Sequence, residues 1–115
     1  MIQVKRVYDP PQPDDGLRVL VERLWPRGMT REMARLDLWL KEIAPNTGLR
    51  KWFAHDPAKW GAFQERYEQE LGEKPDLVSS LARKSRGTAI TLLFSAHDIQ
   101  HNSAVVLKRV LEKQP

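Results

Sequence analysis

The run Leu17-Arg18-Val19-Leu20-Val21 constrains this chain most, because it ends in Arg23-Leu24-Trp25-Pro26-Arg27-Gly28. The near-continuous apolar character from Leu17 to Leu24 predicts a strand buried on both faces, as in the interior of a parallel sheet. Pro26 cannot donate to a ladder, so pairing must stop there. Gly28 opens backbone angles that a sharp turn requires. The segment therefore predicts a strand exit carrying two guanidinium groups and an indole. Arg23 and Arg27 suit a carboxylate or phosphate, and Trp25 suits a ring or the core. The arginines have a second reading, in which they pair with Glu22, Asp37 or Glu42 and brace the turn.

Around this strand the pattern is α/β. Ile2 to Val7 alternates loosely and predicts a first strand, followed by a breaker-rich loop from Asp9 to Gly16. Thr30 is a fitting N-cap for a helix whose apolar residues Met33, Leu36, Trp39, Leu40 and Ile43 recur at helical spacing and which stops at Ala44-Pro45. A short helix follows around Leu49 to Phe53. Asp56-Pro57 starts another, with stripe Trp60, Phe63, Tyr67 and Leu71. A third begins after Pro75 and closes on basic residues before Gly87. Thr88 to Phe94 predicts the last strand, Ser95 to Asn102 a polar loop, and Ser103 to Glu112 the final helix. The expectation is one domain over residues 1–115: a small Rossmann-like open sheet, mostly parallel, of about three strands with four to five helices packed on it. The nine or so residues between the first two strands are short for a parallel crossover, so their relative direction stays open.

Composition excludes several classes of function. The chain has no cysteine, hence no disulfide, thiolate metal site or thiol nucleophile. No apolar run approaches the ~20 residues of a membrane helix. No signal peptide is visible at the N-terminus, and a cytoplasmic location is the expectation. The net charge of +4 is modest and is not gathered in a tail, so nucleic acid is a secondary reading for a partner. No phosphate loop, dinucleotide fingerprint or zinc pattern is present, and no cofactor is called for. His97 and His101 are four apart, but a third ligand is lacking, so no metal site is assigned.

In open parallel sheets ligands bind beyond the carboxyl ends of the strands. Two such ends are polar here, Arg23 to Gly28 and Ser95 to Asn102. If they converge, Arg23, Trp25, Arg27, Gly28, Ser95 and Asn102 form a small-anion site, helped by the N-terminus of the last helix. The ligand class is a nucleotide or phosphorylated metabolite. Asp98 and His101 are then the candidate catalytic acid and base. Asn102 also reads as a plain N-cap. Two other functions fit the same residues: a regulatory module that binds nucleic acid through its basic surface, and a non-catalytic interaction protein or homodimer.

Residues Arg18 to Gly28 resemble the signature of the YeaO-like proteins, within the domain of unknown function 488 superfamily. The blocks Trp39 to Pro45, Leu49 to Phe53 with His55-Asp56-Pro57, and His101 to Leu107 match the same family in the same order. The resemblance implies a Rossmann-like fold and a bacterial, cytoplasmic protein, and it implies no established activity. The wider superfamily is similar but carries a cysteine at the end of the last strand and a Cys-His-Arg triplet at the last helix. Here Phe94 and Gln100-His101-Asn102 stand in those places, so only His101 carries over.

Overall fold

The computed structural model describes residues 1–115. Four strands form one sheet: β1 (Ile2–Arg6), β2 (Leu17–Leu20), β3 (Leu38–Trp39) and β4 (Ile90–Phe94). The order is β1-β4-β2-β3 and every pairing is parallel. β4 is the central strand and all five of its residues are buried. Its register aligns Ile2 with Ile90 and Arg6 with Phe94 on one side, and Leu17 with Ile90 and Leu20 with Leu93 on the other.

The direction left open by the short first connection is therefore settled. β1 and β2 are parallel but not neighbours, because β4 lies between them. No helix is needed to join them. The ten connecting residues, if extended, span up to about 35 Å, more than the ~17 Å length of a five-residue strand. The connection runs straight back along β1: Lys5 Nζ donates to Pro10 O at 3.1 Å, and Gln3 Nε2 to Asp14 O at 3.1 Å. A 3-10 turn at Pro13–Asp15 and Gly16, with φ +64°, redirect it into β2. A Cβ on Gly16 would lie 2.0 Å from Ala89 O, so only glycine fits.

Alternation along the strands divides the core in two. Ile2, Val19, Val21, Ile90, Leu92 and Phe94 share one cluster with the long helices. Those helices are α2 (Thr47–Phe53), α3 (Trp60–Gly72), α4 (Pro75–Gly87) and α5 (Ser103–Glu112). Leu20, Leu93 and Val7 form a second cluster with Met29 and Ala34, and Trp25 and Trp39 pack against it. This second face also holds a buried ionic knot. Asp15 and Arg18 are 1% and 4% exposed and bond at 2.6 Å, while Lys5 reaches Asp15 at 2.9 Å. Burial pushes the Asp15 carboxyl up, but hydrogen bonds from Lys5, Gln12 N–H and Arg18 outweigh it and hold the group below its ordinary value.

One predicted element is corrected. The helix expected from Thr30 to Ala44 is only α1 (Arg31–Ala34). Thr30 does cap it, accepting from Met33 N at 3.1 Å, but Arg35 turns left-handed at φ +47° and ends it. The chain then lies against β2: Asp37 N donates to Arg18 O and Leu40 N to Leu20 O. The buried backbone of β2 needs partners on that side, and this need overrides the helical spacing of Leu36, Leu40 and Ile43. The sheet thus has four strands, all parallel, where about three, mostly parallel, were expected. β2 also ends at Leu20, with one last bond from Val21 N to Leu93 O, ahead of the Leu24 boundary. No helix is long and apolar enough to cross a membrane.

Candidate functional site

The carboxyl ends of β2 and β4 open on one cavity of about 680 Å³. Its first wall is the β2 exit. Arg23 is half-buried and anchored: Nε donates to Pro45 O at 2.8 Å and Nη2 to Ala44 O at 3.2 Å. Trp25 is held by its indole N–H, which donates to Met29 O at 2.6 Å, and its ring meets Trp39 edge-on at 5.3 Å. It therefore belongs to the second core cluster and to the cavity wall at once. Arg27 is exposed at the rim, where its carbonyl accepts from Tyr8 Oη at 2.8 Å. Gly28 takes φ +74° in the turn closed by Met29 N on Pro26 O. That is the left-handed third position of a tight turn, and Gly28 lies outside the cavity lining.

The second wall is the loop after β4. Ser95 and Asn102 line the cavity with Ser103, while Asp98 and His101 do not. Asn102 caps α5, accepting from Val105 N at 3.1 Å and donating to Asp98 O at 3.0 Å. Asp98 accepts from the Gln100 and His101 amides and meets His101 Nδ1 at 2.9 Å. These hydrogen bonds, the Gln100 amide first, hold the Asp98 carboxyl below its ordinary value. The His101 ring packs edge-on against Trp60 at 5.1 Å. The pair thus braces the loop beside the cavity.

The third wall was not legible in the sequence. Arg50, Lys51, Phe53, Ala54 and His55 come to the cavity from α2 and the turn after it. In the sequence Arg50 and Lys51 sit in no site motif, and His55 stands only beside the Asp56-Pro57 helix start. Asp56 does cap that start, accepting from Ala58 N at 3.0 Å. Ala54 and His55, however, both adopt left-handed angles, φ +46° and +59°. Two such residues in succession are uncommon outside glycine. Phe53 stacks on Phe63 at 4.3 Å, and both form the apolar floor. Phe94, at the end of β4, is buried in the core and does not reach the cavity.

Glu22 also lines the cavity and was missed as a site residue. It bridges the two strand exits, with Oε1 accepting from Ser95 N at 2.9 Å and from Ser95 Oγ at 3.2 Å. The molecule's ion pairs lie elsewhere, at Lys5–Asp15, Arg18–Asp15 and His101–Asp98. The carboxylate partners expected for Arg23 and Arg27, Glu22, Asp37 or Glu42, are therefore corrected: neither arginine pairs with a carboxylate, and Arg23 braces the turn through the carbonyls of Ala44 and Pro45. Four cations, Arg23, Arg27, Arg50 and Lys51, face one carboxylate, Glu22, a net charge of +3 over these five groups. Arg50 Nε is buried and has no hydrogen-bond partner in the protein. Orphan donors of this kind are uncommon in native structures.

A family model described as the inactive DUF488-N3 subclade matches residues 1–115. The chain is 44% identical over 106 residues to the Escherichia coli (strain K12) protein named "Uncharacterized protein YeaO", covering 92% of each chain. It is 34% identical over 110 residues to the Mycobacterium bovis protein named "Uncharacterized protein Mb3100c", covering 96% of this chain and 92% of that one. A Mycobacterium tuberculosis protein named "Uncharacterized protein Rv3073c" aligns to the same extent. No solved structure matches.

Proposed function

This chain belongs to the YeaO-like family of DUF488 proteins, in the subclade described as inactive, and on that premise we propose that it binds a small phosphate-bearing metabolite without turning it over. One observation carries the reading: four cations without ion-pair partners line a cavity at the carboxyl ends of a parallel sheet. The Ser103 and Ala104 amides at the start of α5 add to it, Val105 N being taken by the Asn102 cap. The cavity's size falls within the range of small-molecule sites, and its apolar floor gives the rest of a ligand something to bury.

The non-catalytic half of the reading rests on chemistry. The chain has no cysteine. Its histidine–carboxylate pair, His101 and Asp98, lies outside the cavity lining, with the carboxylate already engaged by backbone amides. A base must reach the proton it removes, and this pair braces a loop.

The test is a thermal-shift titration with inorganic phosphate, phosphosugars and nucleotides, on the wild type and Arg27→Ala. The wild type is expected to be stabilised by at least one phosphate compound and the variant less so. Equal shifts in both proteins, or none in either, overturn the reading.

A further inference from the structure

The geometry points to a nucleoside diphosphate, bound as the bare anion without Mg²⁺; this deepens the binding reading and rests on it. The surplus of donors is the first reason. One phosphoryl group is saturated by about two bidentate guanidinium groups. The cavity offers Arg27 on one wall, Arg50 and Lys51 on another and the first α5 amides on a third, while Arg23 contributes its charge with Nε and Nη2 held by Pro45 and Ala44. A phosphomonoester carries about −1.5 to −2 at neutral pH, and a bridging phosphate adds about one more. A diphosphate therefore matches the local charge of +3, and a monophosphate leaves part of it unanswered. The donor left over is on the half-buried Arg50, whose Nε is buried without a partner in the protein.

The metal has a poor donor set here: a single free carboxylate oxygen, Glu22 Oε2, among four cations. Mg²⁺ bound with a nucleotide takes one or two carboxylates besides the phosphates. Glu22 is the sole carboxylate of the cavity, and its Oε1 is engaged by Ser95. No three histidine, aspartate or glutamate side chains gather at ligating distance anywhere in the molecule. Mg²⁺ and the arginines thus compete for the same phosphate oxygens.

The nucleoside half has two anchors. The indole N–H of Trp25 and its edge contact with Trp39 fix the ring as a rigid wall on which a base can stack. Glu22 Oε2 makes no hydrogen bond in the protein and is an acceptor for a ribose hydroxyl or a base amine.

The experiment is isothermal titration calorimetry of the full chain with adenosine, AMP, ADP and pyrophosphate, in EDTA and in excess Mg²⁺. We expect ADP to bind at least about tenfold tighter than AMP or pyrophosphate, a difference of about 1.4 kcal/mol. Adenosine should not bind, and Mg²⁺ should weaken ADP. Arg50→Gln and the rim variant Arg27→Gln should each weaken ADP, and Arg83→Gln, on exposed α4 surface, should not. Since Arg27 is exposed, its variant stays informative if the Arg50 variant fails to fold. Equal binding of AMP and ADP overturns the diphosphate and leaves the binding reading standing. Equal binding of pyrophosphate and ADP overturns the nucleoside, and tighter binding with Mg²⁺ overturns the bare anion. Absence of all binding overturns both this inference and the reading beneath it.

Discussion

Glu22 holds Ser95 across the sheet. Its Oε1 accepts from the Ser95 amide at 2.9 Å and from the hydroxyl at 3.2 Å. The two residues are the exits of β2 and β4, so one carboxylate ties together the two loops that frame the cavity. Glu22→Ala should destabilise the fold by about 1–3 kcal/mol, the cost of leaving a partly buried donor unmet. Glu22→Gln keeps an acceptor and should cost less. It also removes the cavity's sole negative charge, so inorganic phosphate and pyrophosphate should bind it more tightly. Urea denaturation and calorimetry check the two halves.

The ionic knot on the second face predicts an acid limb. Asp15 has its folded pKa depressed below the reference value of 3.8. Between the two values the unfolded chain binds the proton and the folded one does not, so stability rises with pH there. The contribution is present above about 3.8 and lost as pH falls through the folded value. Asp15→Asn should lower stability at neutral pH by about 3–5 kcal/mol, since it leaves Arg18 buried without its counter-charge. Its stability should then fall less steeply than the wild type's in strong acid. Denaturation midpoints from pH 7 downward decide this.

Two glycines with left-handed angles should behave differently. Gly16→Ala must bear both φ +64° and a contact with Ala89 O, and should cost about 3 kcal/mol or more. Gly28→Ala bears φ +74° in open space, and should cost about 1 kcal/mol. Similar losses at the two sites would contradict this account.

Tyr67 is fully buried and its hydroxyl donates to Ile43 O at 2.7 Å. Burial raises its pKa far above the ordinary phenol range, with the charges of Glu70 and Glu22 adding to the effect. The donor therefore persists at any pH the fold tolerates. Tyr67→Phe should cost about 1–3 kcal/mol in chemical denaturation, because the Ile43 carbonyl stays buried and loses its donor.

His101→Ala separates binding from acid–base chemistry. The ring packs on Trp60 and lies outside the cavity lining, and Asn102 keeps the α5 cap without it. Affinity for phosphate compounds should stay at the wild-type value in calorimetry. A large loss would put His101 at the ligand and weaken the non-catalytic reading.

Local signals located most of the elements. The buried runs at Leu17 and Ile90, the cap at Asn102 and the start at Asp56-Pro57 are all written within a few residues. The stretch from Arg35 to Trp39 was not readable in this way. Its spacing is helical, but its backbone is claimed by a strand nearly twenty residues earlier. The site was half legible for the same reason. Arg23, Trp25, Arg27, Ser95 and Asn102 follow from where strands end. Arg50, Lys51 and His55 come from a helix whose docking no short pattern announces.

By itself, then, the sequence determined most of the strands and helices, the stretch from Arg35 to Trp39 excepted, and that no thiol chemistry is open to this chain. These follow from periodicity, breakers, caps and residue types, which act over one or two turns of chain. Only the tertiary structure decided that β4 enters between β1 and β2, that Glu22 meets Ser95, and that Arg50 joins Arg23 and Arg27 around one cavity. Sheet order and cavity walls depend on contacts between residues up to about ninety positions apart, as when Arg6 binds Ala96 O. Burial of the whole core selects those contacts, and no window of sequence contains them.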